Sequence, residues 1–250
     1  MMNNERKREI INILKSENGY ITVKKLCALL YSSESSIRRD LTALENNGLI
    51  KRTYGGAELI TGFSNVVSFN HRTNQNIDAK KIIAKKAAGL INDGDTIFLD
   101  QSSTTFYLAN ELLNRNSLTV ITNNIEILCL LSHSSLKVIS SGGIISSDSR
   151  SCLIGGDARY VFENTYADIM FFSSKALSED GIISDCTREE VLIRKPMLKN
   201  ATKKVFLCDS EKFNTHSSYK QCTLSDVDYL ISESQQAKKF LCCSESLVIL

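Results

Sequence analysis

Long apolar runs are what this chain of 250 residues most lacks. Runs such as "TIFL" and "IMFF" fall far short of the roughly 18 residues a membrane span needs, and the opening "MMNNERKREI" has no apolar stretch of the kind that makes a signal peptide. A cytoplasmic protein is expected. No Cys-x-x-Cys pair occurs among the eight cysteines (Cys27, Cys129, Cys152, Cys186, Cys208, Cys222, Cys242, Cys243), and His71, His133 and His216 stand far apart. A zinc site therefore has no local signature, and buried, reduced thiols are the expected state. No metal and no cofactor is expected. Internal repeats and low-complexity tracts are absent too.

Charge of one sign is scarce as well, the net being only +2. Its placement says more. Residues 1–60 carry ten Lys and Arg against seven Asp and Glu, whereas residues 61–250 carry 20 against 21. A basic N-terminal module on a neutral body gives that distribution. With 42% apolar and 23% charged residues, the chain can bury an ordinary globular core.

What the sequence does have, first, is three short helical patterns. From Arg6 to Lys15 the apolar positions Ile10, Ile11, Ile13 and Leu14 recur at helical spacing until "SENGY" ends them. Thr22 is placed to cap "VKKLCALL", and "YSSES" breaks that helix. A third begins near Ser33, with Ile37, Leu41 and Leu44 as its inward stripe and Asn47-Gly48 as its stop. Two β-prone runs around Gly55-Gly56, in "LIKRTYGGAELI", then read as a hairpin. The pattern is a helix-turn-helix with a wing. With the stripe facing inward, Arg38 and Arg39 project outward near the start of the third helix, where a recognition helix meets a duplex. Ser33 and Ser36 stand beside them with backbone N–H groups that favour a phosphate, and Asp40 is expected to pair with a neighbouring basic side chain and hold it. Lys51, Arg52 and Tyr54 belong to the wing.

Residues 58–78 are polar and weakly patterned and read as a connector between a module at 1–57 and a body at 79–250, with His71 as a surface or structural histidine. In the body, helices such as "KKIIAKKAAGLI", "FYLANELL" and "REEVLIRKPMLKNA" alternate with short apolar runs: "TIFLD", "LTVIT", "LKVIS", "ADIMFF", "KKVFLCD", "VDYLIS" and the terminal "SLVIL". The fold class expected is α/β, a winged helix-turn-helix followed by a larger, mainly parallel Rossmann-like domain. Ligands of such sheets sit beyond the carboxyl ends of the strands. There the sequence puts Asp100, Ser102, Ser103, Thr104 and Thr105; Thr122, Asn123 and Asn124; Gly142 and Gly143; and Lys212. Hydroxyls, amides, a carboxylate and a lysine on one edge suit a small phosphorylated sugar or polyol.

The stretches "SSIRRDLTALENNGLIKRTYGGA", "GDTIFLDQSSTT", "LTVITNN", "SGGII", "GGDA", "ADIMFF" and "DSEKF", in this order, make the chain resemble the DeoR family of bacterial transcriptional regulators over nearly its whole length. The resemblance implies a winged helix-turn-helix on double-stranded operator DNA. It also implies a sensor domain similar to ribose-5-phosphate isomerase and glucosamine-6-phosphate deaminase, which reads a sugar phosphate and relieves repression. The chain departs from the family at Ser102 and near Ser173-Ser174, where glycine is usual.

A repressor of a carbohydrate-utilisation operon, acting as a homo-oligomer on paired half-sites, is the function expected. Two rivals stand beside it. One is a sugar-phosphate isomerase or deaminase with an added nucleic-acid module, its chemistry drawn from Asp100, Glu190 and Lys212. The other is a regulator whose sensor no longer binds a ligand.

Overall fold

The computed structural model describes residues 2–17, 20–53, 55–59 and 69–250. They form two compact units, Met1–His71 and Arg72–Leu250.

The first unit contains α1 (Met2–Ser16), β1 (Tyr20–Thr22), α2 (Val23–Leu29), α3 (Glu34–Asn46), β2 (Ile50–Thr53) and β3 (Gly56–Leu59). Thr22 caps α2, its Oγ1 accepting the Lys25 N–H at 3.2 Å. Beyond α3, Gly48 takes the left-handed conformation (φ 68°), and the Leu49 N–H returns to Leu44 O, which closes the helix end. Ile10, Leu14, Leu26, Ile37, Leu41 and Leu44 meet Ile21, Ile50 and Ala57 in one buried core. The hairpin β2–β3 is joined by a strand the sequence pattern did not announce: β1 pairs with β3, so the order is β1-β3-β2. Its approach needs Gly56, where a Cβ would stand 2.6 Å from Ile21 O.

Of the expected connector, Glu58 and Leu59 lie in β3, residues 60–68 are outside those described, and α4 (Phe69–Thr73) follows. The next helix starts before Ala79, as α5 (Ile77–Ala88), behind an Asn76 held in the left-handed region (φ 51°).

The second unit continues with β4 (Thr96–Leu99), α6 (Ser103–Glu111), β5 (Thr119–Thr122), α7 (Ile125–Leu131), β6 (Lys137–Ser140), β7 (Ile144–Ile145), β8 (Leu153–Ile154), α8 (Gly156–Glu163), β9 (Ala167–Phe172), β10 (Ala176–Leu177), β11 (Ile182–Asp185), α9 (Arg188–Asn200), β12 (Ala201–Leu207), β13 (Tyr219–Thr223), β14 (Tyr229–Ile231) and β15 (Val248–Ile249). Seven strands form one parallel sheet in the order β15-β14-β12-β9-β4-β5-β6. Successive side chains take opposite faces. Ile97 and Leu99 therefore pack with α5, α6 and α7 residues such as Ile83, Leu108 and Ile127, while Phe98 packs with Phe162 of α8 and Met197 of α9. Both faces are covered, as continuous apolar strands require. A small antiparallel sheet, β10-β11-β13, and the hairpin β7–β8 complete the unit.

The eight cysteines are free, but only Cys152, Cys208 and Cys222 are buried. Cys129 and Cys242 are exposed, which corrects the expectation of buried thiols at those two positions.

Candidate functional sites

The third helix presents two different faces. Ser33 caps it, its Oγ accepting the Ser36 N–H at 3.4 Å and donating to Ser36 Oγ at 2.9 Å. Ile37, Leu41 and Leu44 are buried, and so is Asp40. Position 40 follows Ile37 by three residues, so it shares the inward face. There it accepts a hydrogen bond from Arg6 Nε of α1 at 2.5 Å. Asp40 thus has the basic partner expected of it, but that partner is Arg6, so the carboxylate fastens α3 to α1 and holds neither Arg38 nor Arg39.

Arg38 and Arg39 are both exposed. Arg38 donates from Nε and Nη2 to Glu34 Oε1, at 3.0 and 2.6 Å, one turn earlier. An exposed pair at this spacing is worth only about 0.3–0.5 kcal/mol, so the guanidinium is easily re-aimed. Among the described residues Arg39 has no hydrogen bond or ion pair. The wing lies against the outward side of α3: Arg52 Nη1 donates to Thr42 Oγ1 and its N–H to Glu45 Oε1, each at 2.8 Å. Lys51 is exposed beside it. Tyr54 lies outside the described residues.

One residue here escaped sequence reading. Tyr31, between α2 and α3, has φ 46° and is 97% exposed. The Ser32 N–H bonds to Cys27 O, which makes Tyr31 the left-handed residue that ends α2, a place where glycine is favoured and an L side chain costs about 1 kcal/mol. No packing offsets that cost.

In the second unit the strand order reverses between β4 and β9, and the two strands end side by side at Asp100 and Ser173. Such a switch point is where open α/β sheets bind ligands. Asp100 is fully buried and both its oxygens are occupied. Oδ1 accepts from the Ser102 N–H and Thr105 Oγ1, each at 3.0 Å, and Oδ2 from the Ser173 N–H at 3.2 Å and Arg194 Nε at 2.8 Å. Ser102, where glycine is usual in the family resembled, turns its hydroxyl to the Thr105 N–H at 3.1 Å and caps α6. Ser173 Oγ donates to Leu207 O and Ser174 Oγ to Ser184 O. These loop hydroxyls are absorbed by the fold. Thr122 Oγ1 likewise accepts the Asn124 N–H, and Asn124 Oδ1 caps α7.

Other expected residues keep unused capacity. Among the described residues Thr104 Oγ1, Asn123 Oδ1 and Asn124 Nδ2 are buried without a hydrogen-bond partner, and Ser103 stands in the first turn of α6, where N–H groups lack helical acceptors. Asn123 Nδ2 donates to Leu153 O at 3.1 Å. Gly143 is fixed by packing: a Cβ there would lie 2.5 Å from Ile154 O. Gly142 and Gly143 both have positive φ and are exposed. Lys212 reaches Ser173 Oγ at 2.8 Å and Asp209 Oδ2 at 3.1 Å, so the ends of β9 and β12 meet at its ammonium.

Sequence reading missed the ionic frame behind this edge. Arg194, from the middle of α9, is 1% exposed and touches three carboxylates: Asp100 at 2.8 Å, Asp185 at 2.6 Å and Glu190 at 3.6 Å. Burial alone would disfavour its charge, but the carboxylates outweigh burial and raise its pKa. Asp185 is pushed up by burial, yet Arg194 outweighs that and leaves it below the usual range. Glu190, fully enclosed and beside Asp185, is raised.

Lys80 was missed too. It is buried in α5, donating to Arg72 O and, at 2.7 Å, to Gln75 O. Burial, reinforced by the charge of Lys212, lowers its pKa to about 8. Asn76 Nδ2 donates to Asp209 Oδ1 at 3.2 Å. Burial pushes the Asp209 carboxyl up, but Lys212 chiefly, with Lys80, outweighs it. Two lysines thus converge near the ends of β9 and β12 with one carboxylate between them.

Comparison with known proteins covers both units. The family model described as the DeoR-like helix-turn-helix domain matches residues 6–63, and that of the DeoR C terminal sensor domain matches residues 75–234. The HTH-type transcriptional regulator GolR of Listeria innocua is 36% identical over 92% of this chain and 91% of its own length. The HTH-type transcriptional repressor GlcR of Bacillus subtilis is 32% identical, over 93% and 89%. The lactose phosphotransferase system repressor of Staphylococcus aureus is 29% identical, over 95% of both. Among solved structures, ribose 5-phosphate isomerase A of Methanocaldococcus jannaschii aligns with a TM-score of 0.43 at 21% identity, covering 56% of this chain and 55% of that one.

Proposed function

The chain belongs to the DeoR family of helix-turn-helix transcriptional regulators, and from that premise we propose that it represses a carbohydrate-utilisation operon until a phosphorylated sugar or polyol binds the edge of its parallel sheet. Two relatives are named as repressors, one of them of the lactose phosphotransferase system. The observation that carries the reading is the outward pair Arg38 and Arg39 at the start of a helix whose opposite face is buried, with the wing cations beside it.

On operator DNA, Arg38 and Arg39 contact base edges or phosphates in the major groove, and Ser33 and Ser36 meet the backbone. Lys51, Arg52 and Tyr54 hold flanking phosphates, and Tyr31 stands where it can join them. A good bidentate arginine–guanine contact gives about 1–3 kcal/mol of base discrimination. One such module is small, so a homo-oligomer supplies two or more to paired half-sites.

At the sheet edge, Lys80 and Lys212 offer positive charge to the phosphate of the effector, together with the first turn of α6 at Ser103 and Thr104. An anion there offsets both the burial and the Lys212 repulsion that lower the Lys80 pKa. Asn123, Asn124 and the Gly142-Gly143 turn face the polyol end. Asp100, Ser102, Thr105 and Thr122 shape the site without needing to touch the ligand. Binding shifts the population toward an arrangement that holds DNA less well.

The same geometry argues against turnover. A general base must reach a substrate proton in its proton-accepting form, and Asp100, with both oxygens committed to the fold, is not free for that role. We read the protein as a sensor without turnover, acting in the cytoplasm. The test is a band-shift on a duplex selected from a random library by the wild-type protein. Arg38→Ala should abolish the shift while the second unit stays folded, and one member of a hexose, pentose and polyol phosphate panel should release the wild-type complex with no product formed. Retained affinity in Arg38→Ala, or conversion of a panel compound, would refute the proposal.

A further inference from the structure

At the other end of the sheet from Asp100 and Lys212 lies a second polar concavity. Its volume is about 690 Å³, within the range of small-molecule sites. Lys195 and Lys199, one turn apart on α9, line it with Lys204 of β12 and Lys220 of β13. Among the described residues none of the four makes an ion pair. Asp226 and Asp228 also line it, but both are engaged by backbone: Asp226 Oδ2 accepts the Thr223 N–H at 2.8 Å, and Asp228 Oδ2 the Lys204 N–H at 2.7 Å. Four ammonium groups against two tethered carboxylates leave a positive excess.

A second, independent feature points the same way. Gln221 lines the concavity and is only 7% exposed, yet among the described residues neither its Oε1 nor its Nε2 has a hydrogen-bond partner. A buried amide left unpaired is destabilising, and native structures contain few. Gln221 is the extra residue of a bulge, with Lys220 paired to Ser184 and Cys222 to Ile183, and it lines the basic concavity beside Lys220. An anionic oxygen satisfies its Nε2–H groups, and its Oε1 requires a donor on the same ligand, a hydroxyl or an N–H.

We infer that this concavity is a second ligand site, for a multiply phosphorylated organic anion, held by Lys195, Lys199, Lys204 and Lys220 with Gln221 reading its neutral part. It is separate from the effector edge and does not depend on the role proposed there. The site gives the sensor unit an input distinct from the sugar phosphate.

The experiment is calorimetric titration of the full-length protein with ATP, and in parallel with inorganic tripolyphosphate, in magnesium-free buffer. Wild type should bind ATP saturably. The double variant Lys195→Glu/Lys220→Glu should bind it at least tenfold more weakly. Gln221→Leu should melt no lower than wild type, lose severalfold in ATP affinity, and lose less for tripolyphosphate. Lys212→Met should leave ATP affinity unchanged. The inference is overturned if wild type shows no saturable binding, if Lys212→Met and not the double variant abolishes it, or if the Gln221 variant binds both compounds as wild type does. It is overturned equally if charge reversal alters the sedimentation coefficient while ATP affinity stays the same, because the face is then a contact between subunits.

Discussion

Arg194 and Asp100 meet at 2.8 Å across 94 positions of sequence, both almost fully buried. The bond ties the end of β4 to α9, and the second arm of the guanidinium ties α9 to Asp185 at the end of β11. One cation thus joins the parallel sheet to the small antiparallel one. Removing a single partner from a buried ionic group leaves uncompensated charge, at a cost of about 3–5 kcal/mol. Arg194→Met should therefore lower the unfolding free energy of the second unit by that amount, read from the midpoint and slope of its urea curve. Glu190→Gln should cost far less, because burial and Asp185 already favour the protonated acid, which the amide resembles. Unfolding curves of the two variants make the comparison.

Lys80 gives a pH dependence whose sign is fixed. Its folded pKa of about 8 lies below the ordinary 10.5, so between those values the unfolded chain binds more protons than the native one, and stability rises with pH. Below about pH 8 the penalty of the buried ammonium is fully present. Binding of an anion runs the other way, because it needs that charge. Affinity for inorganic phosphate, measured by calorimetry, should fall as pH passes from 7 to 9, and Lys80→Met should be weak and nearly flat over the range. An unchanged wild-type affinity at pH 9 would remove Lys80 from the site.

The difference between what could and could not be read in the sequence follows from range. Ser33, Ile37, Leu41, Leu44 and Asn47-Gly48 act within one helix, so spacing and capping chemistry were enough to place α3 and its exposed arginines. The apolar runs of the large sheet were legible for the same reason. Arg194 was not, since nothing in "REEVLIRKPMLKN" tells that this cation faces three carboxylates from other parts of the chain or a turn away. Lys80 looked like one more surface lysine of "KKIIAKK". That the partner of Asp40 is Arg6 was not legible either, although helical phase already placed Asp40 on the face of Ile37. Strand β10 is only two residues long and β13 is mixed in polarity, and the pairing of each with β11 is set by tertiary context.

Tyr31 tests whether an unfavourable backbone position is kept for binding. Replacing it with glycine removes the side-chain penalty at φ 46°, so Tyr31→Gly should raise stability by about 1 kcal/mol, less the extra unfolded-chain entropy of glycine. Nothing inside the module is lost, since the ring is almost wholly exposed. If the ring or its hydroxyl meets the duplex, the same variant should bind the selected operator more weakly, and Tyr31→Phe should separate the two contributions. Equal affinity with higher melting temperature would leave Tyr31 without a role on DNA.

Arg39 and Asp40 are adjacent, yet their substitutions should separate function from folding. Arg39 is exposed and bonded to nothing among the described residues, so Arg39→Ala should leave the melting temperature within experimental error and weaken operator binding. If its contact is to a phosphate, the slope of log affinity against log salt should also fall by about one. Asp40 is buried against Arg6, so Asp40→Ala should destabilise the first unit by roughly 1–3 kcal/mol by leaving a half-buried guanidinium without its acceptor. Its affinity per folded molecule should change little, because the carboxylate faces inward. The reverse pattern, with Arg39→Ala unfolding the unit and Asp40→Ala altering only the salt slope, would mean that α3 is rotated by about 100° from the orientation described and presents a different face to DNA.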